Sequence, residues 1–316
     1  MAFRDTYLDS VKTALIYGVV LDHCILRLGG VEKNQASSDY VLIAFNFLII
    51  ILMPLFVLVS GYFSNPDKSI RKSCLGLFSA FVLFQIIWRI ISPPSSIQSF
   101  LSPAQTLWYL LSLCYWRVIV HEMNKYIKKK WIWLVMSLVL MIIAGYVPLS
   151  REFSFQRTFA FFPFFVLGNM MRGTEFFSWV KRQNKYLCGT ILLTFIIVLY
   201  FYHPYSNWLN SGLNSFYAYH CDLVLAPFVK IMWFILAVII GTAFLSVIPD
   251  IKILSSQGSK TLTIYLFHMF PIIFMEKMGV HIDNLFVLIA IAMAIYLITN
   301  YMHRFRIVRW MTCPYS

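Results

Sequence analysis

The feature that most constrains this chain is a succession of long apolar runs with little polar sequence between them. A helix needs about 20 such residues to cross a bilayer. With only 12% of 316 residues charged and a mean hydropathy of +0.73, a water-soluble globule could not cover this apolar surface. The pattern predicts an all-α, polytopic membrane bundle. Its long runs are 11–28, 40–63, 73–92, 131–149, 186–202, 223–247 and 285–301, and its short ones are 107–121, 159–171 and 261–275.

The basic residues predict how these runs are oriented. With ten spans and the N-terminus inside, eighteen of the 26 Lys and Arg residues fall in inner segments and five in outer loops. This is the asymmetry that the positive-inside rule describes, and omitting any short run would disrupt it. We therefore predict about ten transmembrane helices with both termini in the cytoplasm, in a single domain over residues 1–316. The net charge of +13 then reflects topology, and no nucleic-acid partner is expected.

The sequence gives no sign of a metal site, a redox site or a cleaved signal peptide. The six cysteines have none of the paired spacings typical of metal or redox sites, so no metal is expected. The first run carries Lys12, Asp22 and His23 and lacks a small-residue cleavage site, so we do not expect a cleaved signal peptide. A homo-oligomer is compatible with the sequence.

Ionisable side chains inside the predicted spans are functional candidates, because burying them in lipid is costly. They are Asp22, His23, Arg89, Arg117, Lys230 and His268. Lys230 lies near the outer end of its span and can snorkel to the headgroups. Arg89 and Arg117 either bind backbone carbonyls or hold an anion. The histidines can accept a proton near neutral pH. We predict that His23 and His268 face one cavity, with His268 in a supporting role.

Lys12 and His23 are eleven residues apart, which is almost three helical turns, so both lie on one face about 16 Å apart. An anionic cofactor bound at Lys12 could extend its reactive end along this face to His23. The alternative is a snorkelling lysine and a histidine that is hydrogen-bonded to a neighbouring helix.

Five stretches of the sequence, in this order, form a recognisable set: YLDSVKTALIYGVVLDHC, MPLFVLVSGYF, LWYLLSLCYWR, RTFAFFPFFVLG and GSKTLTIYLFH. The first contains a basic residue, ten residues and a histidine, from Lys12 to His23. With this signature and the other four stretches, the chain resembles the acyltransferase-3 family of membrane acetyltransferases. Its short outer loops look most like the fucose 4-O-acetylase branch.

The resemblance implies roles for individual residues. His23 matches the essential histidine, as general base or transient acyl carrier, and Asp9 matches the acid that precedes the signature. Asp22 stands where a small residue is expected, which leaves its role open. Lys68 and Arg71 match a pair of basic residues in the first inner loop, although an arginine is usual at the first position. Together with Lys12 and the adjacent Lys72, these residues are the candidates for binding CoA phosphates.

The outer side offers candidates for binding a sugar. Trp108 and Tyr109 open one span, and Arg151 and Arg157 precede another, so together they could form a rim around a glycan. The alternative is ordinary interfacial anchoring. An aromatic outer loop at 201–222 is open to the same two interpretations.

The sequence thus predicts an inner-membrane O-acyltransferase. Acetyl-CoA, or another acyl-CoA, would be the donor and co-substrate. A sugar hydroxyl of a cell-surface glycan or glycolipid would be the acceptor. The main alternative is a proton-coupled secondary transporter or a flippase for lipid-linked glycans, which would explain the buried Asp22, His23 and His268 equally well.

Overall fold

The structure is a computed structural model that describes residues 5–33, 38–66, 70–147, 152–202 and 224–312, without the side chains of Lys72, Ser73 and Gln98. Within these ranges the chain is helical and forms no strand, which confirms the predicted all-α class. The α-helices are α1 Thr6–Arg27, α2 Asp39–Phe63, α3 Arg71–Ile91, α4 Ile97–Leu101, α5 Trp108–Tyr126, α6 Lys130–Tyr146, α7 Phe155–Met171, α8 Phe176–Lys181, α9 Lys185–Tyr202, α10 Ala226–Val247, α11 Lys252–Ser255, α12 Thr261–Phe267, α13 Met269–Lys277, α14 Leu285–Met302 and α15 Arg306–Thr312.

Each predicted run lies largely within one of these helices, or, for 261–275, within two consecutive ones. Among the described residues, five helices are long and apolar enough to cross a membrane: α2, α3 from Cys74, α9, α10 and α14. α6 is apolar but has 17 residues. α1 has 22 residues, but its charged residues make it a poorer candidate by composition. The number of ten spans and the inside location of both termini stay predictions.

The chain divides into two compact units, and each is described here by itself. The first unit comprises Met1–Leu52, Phe176–Ser206 and Ala237–Arg309. The second unit comprises Met53–Glu175, Asn207–Leu236 and Trp310–Ser316. That the whole chain functions as one domain stays a prediction.

Hydroxyl groups hold α1 in the first unit. The Tyr7 hydroxyl donates to the carbonyl of Leu245 at 2.7 Å, and the Thr13 hydroxyl donates to that of Leu254 at 2.9 Å. Further along α1, the Tyr17 hydroxyl donates to the carbonyl of Ile289 at 3.3 Å. Helix ends have carbonyls without intrahelical donors, so side chains such as Tyr7 can satisfy them. These bonds fix α1 along its length against three later segments.

The break between α12 and α13 follows from the sequence. Pro271 has no backbone N–H and cannot donate to the carbonyl of Phe267, four residues earlier. The preceding bond, from the N–H of His268 to the carbonyl of Ile264, is still formed at 3.0 Å. The backbone of His268 therefore stays helical while its residue marks the junction of the two helices.

Close backbone contact organises the second unit. The Cα of Gly61 faces the carbonyl of Phe165, and Gly168 lies against the carbonyl of Leu58, so neither position has room for a Cβ. The Asn169 side-chain amide donates to the carbonyl of Ser64 at 2.8 Å. The C-terminal part of α2 and α7 can approach this closely only because both glycines lack a side chain.

Arg89 has a structural role in the same unit. Its guanidinium donates to the carbonyls of Ser99, at 2.5 Å, and of Phe100, at 3.0 Å, and also to that of Ser102. Of the two interpretations of this arginine, the structure supports the binding of backbone carbonyls.

Candidate functional site

α1 carries four of the predicted site residues, Asp9, Lys12, Asp22 and His23, on one continuous helix. Its start is fixed by Asp5, whose carboxylate accepts hydrogen bonds from the N–H groups of Tyr7 and Leu8. Since the helix runs unbroken to Arg27, Lys12 and His23 share a face about 16 Å apart. Arg27 follows His23 by about one further turn. We call Lys12, His23 and Arg27 the polar face of α1.

The structure brings together the two histidines that the sequence singled out. The ring centroids of His23 and His268 are 5.2 Å apart, and the rings meet edge to face at 72°. His268 is fully buried, whereas His23 is half-buried. The two rings are therefore in contact inside the first unit, and that they line one cavity stays a prediction.

Backbone carbonyls assign the tautomer of both rings. Nδ1 of His23 lies 2.7 Å from the carbonyl oxygen of Val19, and Nδ1 of His268 lies 3.0 Å from that of Ile264. A carbonyl can only accept, so each neutral ring carries its proton on Nδ1 and keeps a lone pair on Nε2. Nε2 of His268 is buried and has no hydrogen-bond partner among the described residues. The pair therefore presents basic nitrogens inside the first unit.

The Lys12 end of α1 is positioned by a glycine. Lys12 Nζ lies 3.2 Å from Asp9 Oδ1, and Asp9 is buried. A Cβ on Gly258 would stand 2.6 Å from the Cβ of Asp9, so only glycine allows this segment to pack on α1. Asp9 thus orients Lys12 and contacts Gly258, the first residue of the GSK segment. Asp9 is the acid that the family resemblance places before the signature.

Asp22 lies next to His23 in sequence but on a different side of the helix. Its Oδ1 atom is buried and makes no hydrogen bond within the described residues. A buried carboxyl oxygen without a partner is costly. The structure therefore leaves the buried Oδ1 atom of Asp22 unexplained.

The far end of the polar face is closed by ion pairs. Arg27 Nη1 lies 2.7 Å from Glu32 Oε2 and 3.4 Å from Glu276 Oε2, and Lys33 Nζ lies 3.2 Å from Glu276 Oε1. The carbonyl of Leu28 also accepts the N–H of Ile282 at 2.9 Å. These contacts connect the end of α1 to the end of α13, the helix that begins directly after His268.

The second unit holds the predicted sugar-binding residues, and there they belong to an aromatic cluster. Trp108 and Tyr109 are 8% and 5% exposed. Trp108 stacks on Phe161 with centroids 5.6 Å apart, and the Arg157 guanidinium lies 5.1 Å from the Trp108 centroid. The Tyr109 hydroxyl is hydrogen-bonded to Ser60. Of these residues, the half-buried Arg157 is the one that combines charge with accessible surface.

Some predicted residues can be placed only in part. Arg71 begins α3 and is exposed, in the second unit. Lys68, Arg151 and most of the aromatic outer loop lie outside the described residues, as does the side chain of Lys72.

Sequence reasoning misjudged Lys230 and gave Lys260 no role. Lys230 has no exposed surface, so its interpretation as a snorkelling lysine is wrong. Lys260 entered the sequence analysis only as one of the charges that predict the topology. In the structure Lys260 directly follows the Gly258 segment that packs on Asp9. The sequence signal was available, since GSK leads straight into the helix that carries His268.

The chemistry of this arrangement suits group transfer to a hydroxyl. Imidazole lone pairs can remove a proton, and cations at one end of the same helix face can hold an anion. Among the described residues, no group of three or more His, Cys, Asp and Glu side chains is placed to hold a metal ion.

Comparison with known proteins identifies the family. A family model described as an acyltransferase domain, that of the acyltransferase-3 family, matches residues 5–302, nearly the whole chain. A search of curated proteins and a search of solved structures each find no significant match.

Proposed function

Because the chain belongs to the acyltransferase-3 family and is a membrane acyltransferase, we propose that it transfers an acetyl group from cytoplasmic acetyl-CoA to a sugar hydroxyl. The acceptor in this proposal is a glycan or glycolipid at the cell surface. The contact between His23 and His268 is the observation that carries the proposal. The protein acts in the cytoplasmic membrane, which it crosses with about ten helices.

In the proposed reaction, His23 acts as the general base. Its Nε2 takes the proton of the acceptor hydroxyl as the oxygen attacks the thioester carbonyl carbon. The new C–O bond forms, the C–S bond breaks, and the proton passes from His23 to the leaving thiolate, which gives an O-acetyl ester and free CoA. The Nδ1–H group of His23 donates a hydrogen bond to the Val19 carbonyl, which leaves Nε2 as the basic atom of the ring.

His268 supports this step in the proposal. Proton transfer to His23 creates an imidazolium in contact with a buried ring whose Nε2 lone pair has no partner among the described residues. A lone pair beside a developing positive charge stabilises it, and more so in a medium of low polarity.

The two substrates are proposed to bind different residues. For the donor phosphates the proposal uses Lys12 of the first unit, which attracts them through its charge. Lys68, Arg71 and Lys72 keep the phosphate-binding role that the family resemblance implies. Arg157, held over Trp108, contacts the acceptor sugar. The likeness of the short outer loops to the fucose 4-O-acetylase branch supports a sugar acceptor.

The proposal is tested with purified protein in detergent, acetyl-CoA and surface glycans from cells that lack the protein. We expect CoA thiol release that depends on the acceptor, with a matching gain in mass of one acetyl group on the glycan. His23→Ala should abolish both. Transport of a glycan or proton in proteoliposomes without thiol release would contradict the proposal and support a transporter. A trapped acetyl group on His23 would contradict the general-base step.

A further inference from the structure

Three buried hydroxyl groups join α5 to the start of α7 in the second unit. The Ser112 hydroxyl oxygen lies 2.7 Å from that of Thr158 and 3.3 Å from that of Ser154. The Thr158 hydroxyl donates to the backbone carbonyl of Ser154 at 2.8 Å. All three residues are buried, with at most 3% of their surface exposed. We call Ser112, Ser154 and Thr158 the hydroxyl circuit.

The number of protons fixes the direction of each hydrogen bond in the circuit. A carbonyl can only accept and a hydroxyl carries one proton, so the Thr158 proton belongs to the bond with the Ser154 carbonyl. Ser112 must then donate to Thr158 Oγ1, and Ser154 must donate to Ser112 Oγ. The circuit therefore starts at the hydroxyl of Ser154 and ends at the carbonyl of the same residue. Because every proton is used, the loss of one hydroxyl leaves a neighbouring buried group without its bond.

The circuit stabilises a backbone conformation that serine rarely adopts. Ser154 directly precedes α7 with φ of 61° and ψ of 19°, in the left-handed region. A serine at this position usually accepts a hydrogen bond from the first turn of its helix, but within the described residues Ser154 makes no such bond. Left-handed backbone costs free energy for residues other than glycine and persists where the surrounding structure enforces it. Here both the hydroxyl and the carbonyl of Ser154 are bonded within the circuit.

Arg157 lies between the two ends of this arrangement. It follows Ser154 by three residues and directly precedes Thr158, whose carbonyl also accepts from Trp116 Nε1 of α5 at 2.8 Å. The chain on both sides of Arg157 is therefore bonded to α5. The same helix carries Trp108, and the Arg157 guanidinium lies 5.1 Å from the centroid of its ring. The bonds that hold α7 on α5 thus also determine where the guanidinium stands over Trp108.

We propose that Ser112 is a positioning residue for the acceptor sugar and acts through the hydroxyl circuit on Arg157. The circuit keeps the guanidinium over Trp108, so that its N–H groups meet the sugar hydroxyls in one orientation. A planar guanidinium depends on its orientation more than a point charge does, and a side chain that is fixed in advance loses less freedom when the sugar binds. Ser112 itself is fully buried and does not touch the sugar. This assignment rests on the proposed role of Arg157 in binding the acceptor.

The experiment compares Ser112→Ala and Thr158→Val, each of which removes one hydroxyl of the circuit, with Ser137→Ala. Ser137→Ala is the matched control, because Ser137 is an equally buried serine of the same unit whose hydroxyl donates within α6, to the Leu134 carbonyl at 2.8 Å. Steady-state constants are measured in detergent with acetyl-CoA and with surface glycan from cells that lack the protein. We expect the two circuit variants to raise the KM for the glycan a few-fold and to leave kcat and the KM for acetyl-CoA unchanged. Ser137→Ala should change none of these constants.

A double variant tests whether Ser112 acts through Arg157. We expect Ser112→Ala combined with Arg157→Lys to have the glycan KM of Arg157→Lys alone, because a lysine gains little from exact orientation. An additive rise in the double variant would overturn the proposal, as would an equal effect of Ser137→Ala. A lower melting temperature of Ser112→Ala with an unchanged glycan KM would also overturn it and leave the circuit a purely structural role.

One outcome concerns the proposed function itself. If Arg157→Lys alone left the glycan KM unchanged, the assignment of Arg157 to the acceptor would be wrong, and Ser112 would have no acceptor-binding group to position. A change in glycan KM for Arg157→Lys but not for Ser112→Ala or Thr158→Val would keep that assignment and contradict only the role of the circuit.

Discussion

The two units of this protein differ in what their buried rings do. In the first unit, His23 and His268 meet with ring centroids 5.2 Å apart. In the second unit, Trp116 packs on Phe165 at 5.6 Å and donates to the Thr158 carbonyl at 2.8 Å. Buried polar atoms without a hydrogen-bond partner among the described residues occur in both units, for example His268 Nε2 in the first and Asn169 Oδ1 in the second, so such atoms do not distinguish the units. The histidine pair does, and we expect substitutions there to change the reaction and substitutions in the packing of the second unit to change stability.

The largest effect is expected from His23. Replacing His23 with Ala removes the basic Nε2, and the rate of transfer should fall about 10²-fold or more. The melting temperature in detergent should change little, because His23 is only half-buried. The control is His281→Ala, a ring of the same unit that pairs with Asp283 at 2.9 Å, away from the pair. Transfer within a few-fold of wild type would remove His23 from the mechanism.

A glycine in the second unit should show the opposite pattern. Gly168→Ala places a methyl group against the carbonyl of Leu58, and overpacking of this kind costs about 1–3 kcal/mol. We expect a lower melting temperature and, in the protein that remains folded, an unchanged KM for acetyl-CoA. Gly76→Ala in α3 is the control, because its Cβ would meet no atom within 4 Å. Unaltered stability of Gly168→Ala would break the comparison.

His268 should matter for rate more than for binding. His268→Ala removes the lone pair beside His23, and kcat should fall about tenfold with the KM of both substrates nearly constant. His268→Gln keeps a polar atom in the buried site and tests whether packing alone explains the loss. If both variants raised the KM for acetyl-CoA at constant kcat, His268 would belong to substrate binding and its supporting role would be wrong.

The contribution of Lys12 to the KM for acetyl-CoA should depend on the salt concentration. Lys12→Met retains the aliphatic stem and removes the charge, so the KM for acetyl-CoA should rise about tenfold at low ionic strength. The difference from wild type should shrink as salt is added, since screening weakens the attraction. An unchanged KM at every salt concentration would mean that the donor phosphates bind elsewhere.

The smallest effect is expected from Arg157. Arg157→Lys keeps the charge but weakens the stacking on Trp108, and we expect a rise of a few-fold in the KM for the acceptor. The KM for acetyl-CoA should stay the same. An effect on the donor instead would favour a single site for both substrates and contradict the assignment of Arg157 to the acceptor.

The apolar runs predict the helices, but they do not predict which helices pack together. The eleven-residue spacing of Lys12 and His23 needs only helix geometry, and α1 is continuous between them. The contact of His23 with His268 joins residues 245 positions apart. Counting residues from the cytoplasmic end of each span suggests that the two histidines lie at similar depth, but it gives no distance between them. The burial of Lys230 depends on how its helix packs, which hydropathy does not encode. The same limit concealed the packing of Gly258, two residues before Lys260, on Asp9.

The composition of α1 has a consequence for biosynthesis. This helix leaves the ribosome well before Leu245, Leu254 and Ile289, whose carbonyls accept from its hydroxyls. Until those segments emerge, Lys12 and Asp22 belong to a helix that is costly to bury in lipid by itself. We therefore expect α1 to complete its insertion only when the later helices are present to pack against it. Chains cut before α10, which lack all three carbonyls, should carry an α1 that quality-control proteases cleave, although no residue of α1 has been changed.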